Sequence, residues 1–243
     1  MTAESTRNNA ALIEQLVLAN HILYDRRVLD GFGHVSARVP DRPDSFLLSR
    51  KMAPGLVTAQ DILTLDLEGN VISDEGLSSY VERFIHAEIY RVRRDVAAIV
   101  HSHSPAVIPF SVVQESALRP VCHMAGFLGE RTPVYEIRHD VGEASDLLIR
   151  TSELGASLAR SLSQDSVILM RGHGSTVVGT NLQQAVFRAV YLEVNARLQL
   201  DAMRLGAVTY LTLGEAAATS AAHDAQLERA WQLWADEVAT KSP

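Results

Sequence analysis

Three short stretches carry side chains able to hold a cation or move a proton: His101-Ser102-His103, Gly172-His173-Gly174, and the pair Glu82 and His86. The His-x-His closes the β-branched run 96–100. Side chains alternate faces along a strand, so both imidazoles project the same way and can share one ion. His173 lies between two glycines, which let the backbone bend sharply and other atoms come close. Three imidazoles with an open fourth position form the pattern of a catalytic metal site. Closed structural zinc sites rely on cysteines, and this chain has one, Cys122. Each motif alone also has a plainer reading, a hydrogen-bonded pair for His-x-His and a turn for Gly-His-Gly. Glu82 and His86 are four residues apart in a helical pattern, so they share a face that can look toward the strand ends. The alternative is a solvated face with Arg83 and Glu88. A carboxylate beside a metal is what proton transfer at a carbon centre requires.

The elements that must position these groups can be read from periodicity. Residues 8–29, with Leu12, Leu16, Ala19 and Leu23 at helical spacing, predict a helix stopped by Gly31 and Gly33. Residues 46–48 are a short apolar stretch, and 62–67 with 71–72 predict a hairpin about Glu68-Gly69-Asn70. A helix is predicted over 81–94, a strand over 96–100, a helix over 143–162, and strands over 166–170 and 175–178. Thr180 or Asn181 can cap a long helix that runs to Gly206. A final helix over 215–239 places Leu227, Trp231, Trp234 and Val238 on one side, the tryptophans reading as core or subunit-contact residues. Residues 107–113 are apolar, and the Gly/Pro-punctuated 119–141 has no assignable pattern. With no linker-like stretch and no internal repeat, 1–243 reads as one domain. Helices alternating with antiparallel-type hairpins predict an α/β sandwich, a mixed sheet covered on both sides.

Composition narrows the function classes. The 243 residues are 47% hydrophobic, which suffices for a core without staples and argues against disorder. A net charge of −7 without a basic stripe argues against nucleic-acid binding. No basic-then-apolar leader and no long apolar run are visible, so the chain reads as soluble and cytoplasmic, with no membrane partner. Lone Cys122 reads as a small buried hydrophobe in a reducing compartment. The sequence has no His-Glu-x-x-His, no Gly-x-Ser-x-Gly and no Walker loop. Gly31-Phe32-Gly33 begins like a dinucleotide fingerprint but follows a helix and lacks the third glycine. A cupin reading of His101-x-His103 needs a glutamate that 104–108 does not contain.

The segments Gly33-His34-Val35-Ser36, Glu82-Arg83-Phe84-x-His86, Val100-His101-Ser102-His103 and Gly172-His173-Gly174 resemble, in order and context, the class II aldolase/adducin family. The resemblance covers roughly residues 10–210. It implies a three-layer α/β/α sandwich around a mostly antiparallel sheet, and a homotetramer with active sites near subunit interfaces. It also implies one divalent ion per subunit on His101, His103 and His173, with Glu82 as the acid/base. Zinc is the family's usual metal, and manganese also tolerates three imidazoles and an oxygen.

Departures from the family pattern narrow the substrate. Sugar-phosphate aldolases of the family place two small hydroxyl residues before the glutamate and Gly-Asn-Val-Ser after the first helix, both at the substrate phosphate. Here the corresponding residues are Tyr80 and Val81, and Gly33-His34-Val35-Ser36. The bulky side chains fill that pocket and supply fewer donors. The runs 32–38, Ser49-Arg50-Lys51 and 105–110 are instead similar to the branch that decarboxylates hydroxypyridine dicarboxylates and dihydroxyphthalates. The implied reaction is a metal-dependent decarboxylation of a hydroxy-aromatic (di)carboxylate, the ion stabilising an enolate- or carbanion-like charge. Glu82 and His86 are the candidate catalytic pair. His34, Ser36, Arg50, Lys51, Tyr80 and Tyr191 are the candidate substrate contacts. Arg50 or Lys51 would meet a second carboxylate, unless both are solvated surface charges. The alternatives are a (retro-)aldolase acting on a non-phosphorylated hydroxy-carbonyl compound and a scaffold that has lost catalysis. His21, His123, His139 and His223 have no assignment.

Overall fold

In the computed structural model, which describes residues 3–73 and 76–241, helix α1 (Ala3–Asp25) precedes the hairpin of β1 (His34–Val39) and β2 (Arg42–Ser49). Strand β3 (Ile62–Asp66), helix α2 (Arg83–Val92), strand β4 (Ala98–Ser102) and the short helix α3 (Ile108–Val112) follow. Next come β5 (Val134–Tyr135), α4 (Arg138–Val141), α5 (Ser152–Leu162), β6 (Val167–Met170) and β7 (Gly174–Gly179). Helices α6 (Leu182–Leu205), α7 (Leu213–Asp224) and α8 (Leu227–Lys241) come last among the described residues. The strands form one sheet in the order β3-β2-β1-β4-β7-β6-β5, antiparallel throughout except between β5 and β6.

Alternation along the strands sorts the core into two layers. Val35, Ala37, Val100 and Val177 pack with α1, α6 and α8, whereas Phe46, Leu48, Ile99, Ile168 and Val178 pack with α2 and α5. The sheet is therefore sandwiched as expected. His34 is the register partner of His101, and Ser36 that of Ile99, so all three polar side chains fall on the α2/α5 face. None of the described helices is long and apolar enough to cross a membrane.

Several expected boundaries move, each for a local reason. Helix α1 ends at Asp25, before either glycine. Arg27, in the left-handed region at φ 59, donates its N–H to the Tyr24 carbonyl, and Val28 donates to that of Leu23, a Schellman closure. Gly33 serves the site instead: at φ 84 it passes so close to the His101 carbonyl that a Cβ would lie 2.9 Å from it. The hairpin expected around 68–70 reduces to one bridge, Leu65 with Val71, because the Asp66 carboxylate turns back onto the N–H groups of Glu68 and Asn70. The helix expected over 143–162 begins only at Ser152, where Thr151 caps the Leu154 N–H. The last helix is two, broken after Asp224, so α7 packs on a 3-10 turn at His123–Leu128 while α8 packs on α1 and α6.

Gly174 packs tightly where β7 meets the end of β4, and a Cβ there would collide with the Ser102 carbonyl oxygen. Gly174→Ala is expected to push β7 from β4 and lower stability by about 2–3 kcal/mol. The check is the thermal midpoint of the metal-free chain, and an unchanged midpoint contradicts the packing argument.

Candidate metal centre and pocket

The end of β4 delivers His101 and, one residue beyond the strand, His103; the tight turn between β6 and β7 delivers His173. The Nε2 atoms of His101 and His103 are 3.1 Å apart, and those of His103 and His173 are 3.0 Å apart. Glu82 Oε2 lies 3.6 Å from Nε2 of both His101 and His173. Burial lowers the pKa of all three imidazoles, that of His173 to about 4, and neighbouring histidines add to the effect at His101 and His173. The rings are therefore neutral. His173 donates Nδ1–H to the Leu147 carbonyl at 2.9 Å, so its Nε2 offers a lone pair to the cluster.

Neutral nitrogens converging this closely fit a cation between them. A tetrahedral ion with ligands at about 2.0–2.1 Å holds its donors roughly 3.3 Å apart, near the separations found here. Three imidazoles and a carboxylate suit zinc or manganese. Glu82, His101, His103 and His173 are the grouping of this kind found among the described residues, with all donor atoms within 4.8 Å of one another.

Glu82 sits at the N-terminal boundary of α2 and is buried. Its Oε1 accepts the Ile149 N–H at 3.0 Å. Burial pushes the carboxyl pKa up to about 7 even against that hydrogen bond. The loop between α4 and α5, read from sequence as helix, thus supplies two backbone contacts to the centre, at Leu147 and Ile149. The His173 turn is anchored from beneath. Arg171 pairs with Glu136 at 2.5 Å, and the Gly172 N–H donates to Ser111 Oγ at 2.9 Å. Arg138 and then Arg171 hold the Glu136 carboxyl down to about 2. Periodicity carries no signal for these supports, because they are loop backbone groups or distant partners.

His86 is wholly buried one turn along α2 and does not reach the cluster, which corrects its place as a catalytic candidate. Its Nε2 is 2.7 Å from His34 Nδ1, and its Nδ1 is 2.6 Å from Ser36 Oγ. Ser36 is also wholly buried and cannot meet a substrate; its hydroxyl is 2.8 Å from the Tyr90 hydroxyl. Burial pushes His86 down to about 3, so the folded chain keeps this ring neutral while the unfolded chain protonates it near pH 6.5. Its contribution is complete above pH 6.5 and is lost as pH falls toward 3. The urea midpoint of the metal-free chain is expected to fall across that window, and less steeply in His86→Gln.

Beside the cluster opens a cleft of about 400 Å³ lined by Phe32, His34, Lys51, Met52, Tyr80, Val81, Glu82, His103 and Leu148. The Tyr80 ring lies 4.6 Å from that of His34. Its hydroxyl donates to the Met52 carbonyl at 2.7 Å and lies 2.9 Å from Ser49 Oγ, so the cleft receives mainly the ring. Phe32, not singled out from sequence, stands exposed at the mouth 6.4 Å from the His103 ring. Its position four residues after Val28, the last partner of the Schellman turn, gives no hint of this.

Lys51 reaches the cleft, but Arg50 does not: its Nε donates to Asp61 at 2.6 Å, and Asp61 also accepts the Thr58 N–H. Tyr191 lies on the opposite face of the sheet, its ring against Phe187 and Trp234 on the α6/α8 side, because α6 packs on the other core layer. The tryptophans are core residues, as expected. His21 donates Nε2–H to the Val57 carbonyl at 2.9 Å, the His223 ring lies tilted 5.1 Å from that of His123, and His139 is exposed on α4.

A mostly antiparallel sheet between helical layers, with three imidazoles and a carboxylate meeting at the strand ends, defines a protein built like the class II aldolases. Residues 14–200 match the class II aldolase and adducin N-terminal domain, and the chain belongs to that family. It is 37% identical over 243 aligned residues to decarboxylase tropJ of Talaromyces stipitatus, covering 90% of this chain and 91% of that one. It is 30% identical over 217 residues to the 3,4-dihydroxyphthalate decarboxylase of Arthrobacter keyseri, covering 83% of each. The fold matches the L-fuculose 1-phosphate aldolase of Glaciozyma antarctica with a TM-score of 0.78 at 24% identity, over 98% of this chain and 92% of that one. These two relatives are decarboxylases, and the chain is an enzyme of the carboxy-lyase class.

Proposed function

We propose that this enzyme is a divalent-metal-dependent decarboxylase of a hydroxy-aromatic carboxylate or dicarboxylate. The observation that carries the reading is the cleft wall beside His103 and Glu82. Phe32, Tyr80 and Val81 present rings and a branched alkyl group where a sugar phosphate would need several donors. When bound at His101, His103 and His173, a divalent cation supplies Lewis-acid stabilisation of the negative charge that develops on the substrate.

The chain's own groups do the rest. Tyr80 and Phe32 flank a planar ring, and the Lys51 ammonium at the mouth meets a second carboxylate. Apolar walls favour neutral carbon dioxide over the carboxylate that yields it. As the bond between ring and carboxylate breaks, its electron pair stays on the ring carbon. Glu82, buried beside the three imidazoles, transfers a proton to that carbon and recovers another from water. The exposed apolar side chains Val194, Leu198 and Leu205 on α6 support a homo-oligomer, with the tetramer as the form to test by mass in solution.

The test is a screen of zinc- and manganese-loaded protein against hydroxy-aromatic acids alongside non-phosphorylated hydroxy-aldehydes. Carbon dioxide release from an aromatic acid, abolished by chelation, is the expected result. Cleavage of hydroxy-aldehydes with aromatic acids untouched gives the site to aldol chemistry instead.

A further inference from the structure

The series Tyr90, Ser36, His86 and His34 has a direction that follows from counting protons. Tyr90 is wholly buried, and its hydroxyl has one partner among the described residues, Ser36 Oγ at 2.8 Å. A buried phenol proton needs an acceptor, so Tyr90 donates to Ser36. The serine hydroxyl has one proton of its own, which then goes to His86 Nδ1 at 2.6 Å. His86 is neutral and accepts at Nδ1, so its single proton is on Nε2 and is donated to His34 Nδ1 at 2.7 Å. The opposite direction leaves the buried Tyr90 proton without an acceptor.

We infer that Tyr90, Ser36 and His86 lock His34 in the tautomer that presents Nε2–H to the cleft, so that His34 reads a hydrogen-bond acceptor on the substrate, a carboxylate oxygen. His34 lines the cleft, and its Nε2 makes no hydrogen bond among the described residues. Its ring lies 4.9 Å from that of His101, beside the candidate metal centre. The other three are positioning residues, too deep to meet the substrate. The choice of a carboxylate oxygen rests on the decarboxylase reading; the tautomer does not. Arg38, stacked 4.5 Å over the Tyr90 ring with its guanidinium on backbone carbonyls, holds the far end of the series in place.

The test is long-range proton–nitrogen NMR on the metal-free, uniformly labelled full chain. The expected spectrum has a pyrrole-type Nε2 and a pyridine-type Nδ1 at His34; the reverse overturns the proposal. Tyr90→Phe removes the proton that sets the direction, and is expected to release a population with the proton on Nδ1. In the zinc-loaded protein, phthalate is the probe. It should move the His34 Nε2–H signal, and Tyr90→Phe should bind it about tenfold more weakly at equal metal content. No response of His34 to phthalate, or a Tyr90→Phe variant with wild-type tautomer and affinity, overturns it. The wild-type spectrum needs no variant, so a poorly folding Tyr90→Phe leaves the proposal exposed. A locked tautomer in a chain that decarboxylates nothing would refute the proposed reaction alone.

Discussion

Glu82→Gln is expected to lose turnover by about 10²–10⁴-fold while its metal content stays at the wild-type level. The amide keeps the size of the carboxyl and can still accept the Ile149 N–H through its carbonyl oxygen. It keeps the neutral packing at a buried position but has no proton to give to carbon. The three imidazoles are untouched, and each is positioned by its own strand or turn. Carbon dioxide release and metal analysis of the same preparation separate the two roles. A wild-type rate removes Glu82 from the proton transfer, and loss of metal with loss of rate would make it chiefly a ligand.

His101→Ala is expected to lose the metal outright, to below about one-tenth of an ion per chain after dialysis, and activity with it, because an open site has only three protein imidazoles to begin with. His101 is the most enclosed of them, fully buried between His34 and the other two imidazoles. Its loss leaves two nitrogens and a carboxyl that burial already biases toward its neutral form. The wild type is expected to gain about 2.7 kcal/mol of stability when zinc is supplied at 100 times its dissociation constant. His101→Ala should show no such zinc-dependent rise in thermal midpoint. A variant that retains a full equivalent of zinc and the stabilisation would remove His101 from the site.

The three clustered imidazoles were legible because strand alternation and flanking glycines are local: His101 and His103 share a face by parity, and His173 occupies the turn that Gly172 and Gly174 define. Glu82 was legible from its place at the start of an amphipathic helix. The central strand β1 was not read as a strand, since all six of its residues are buried and both faces of a sheet centre erase the polar alternation that marks an edge. Loop 143–151 was misread as helix because its apolar spacing is satisfied by packing against the site, with Leu147 in the left-handed region at φ 67.

Residue chemistry and short-range order in the sequence determined which groups could bind a cation, which carboxylate stands beside them, and the two-sided sheet that holds them. Only the tertiary structure decided what each neighbouring polar group does. It gave Arg50 to Asp61 and left Lys51 to the cleft, put Tyr191 across the sheet, and turned His86 and Ser36 into the support of His34. Partner choice for a long or buried side chain is settled by contacts between residues dozens of positions apart, and no local period encodes those.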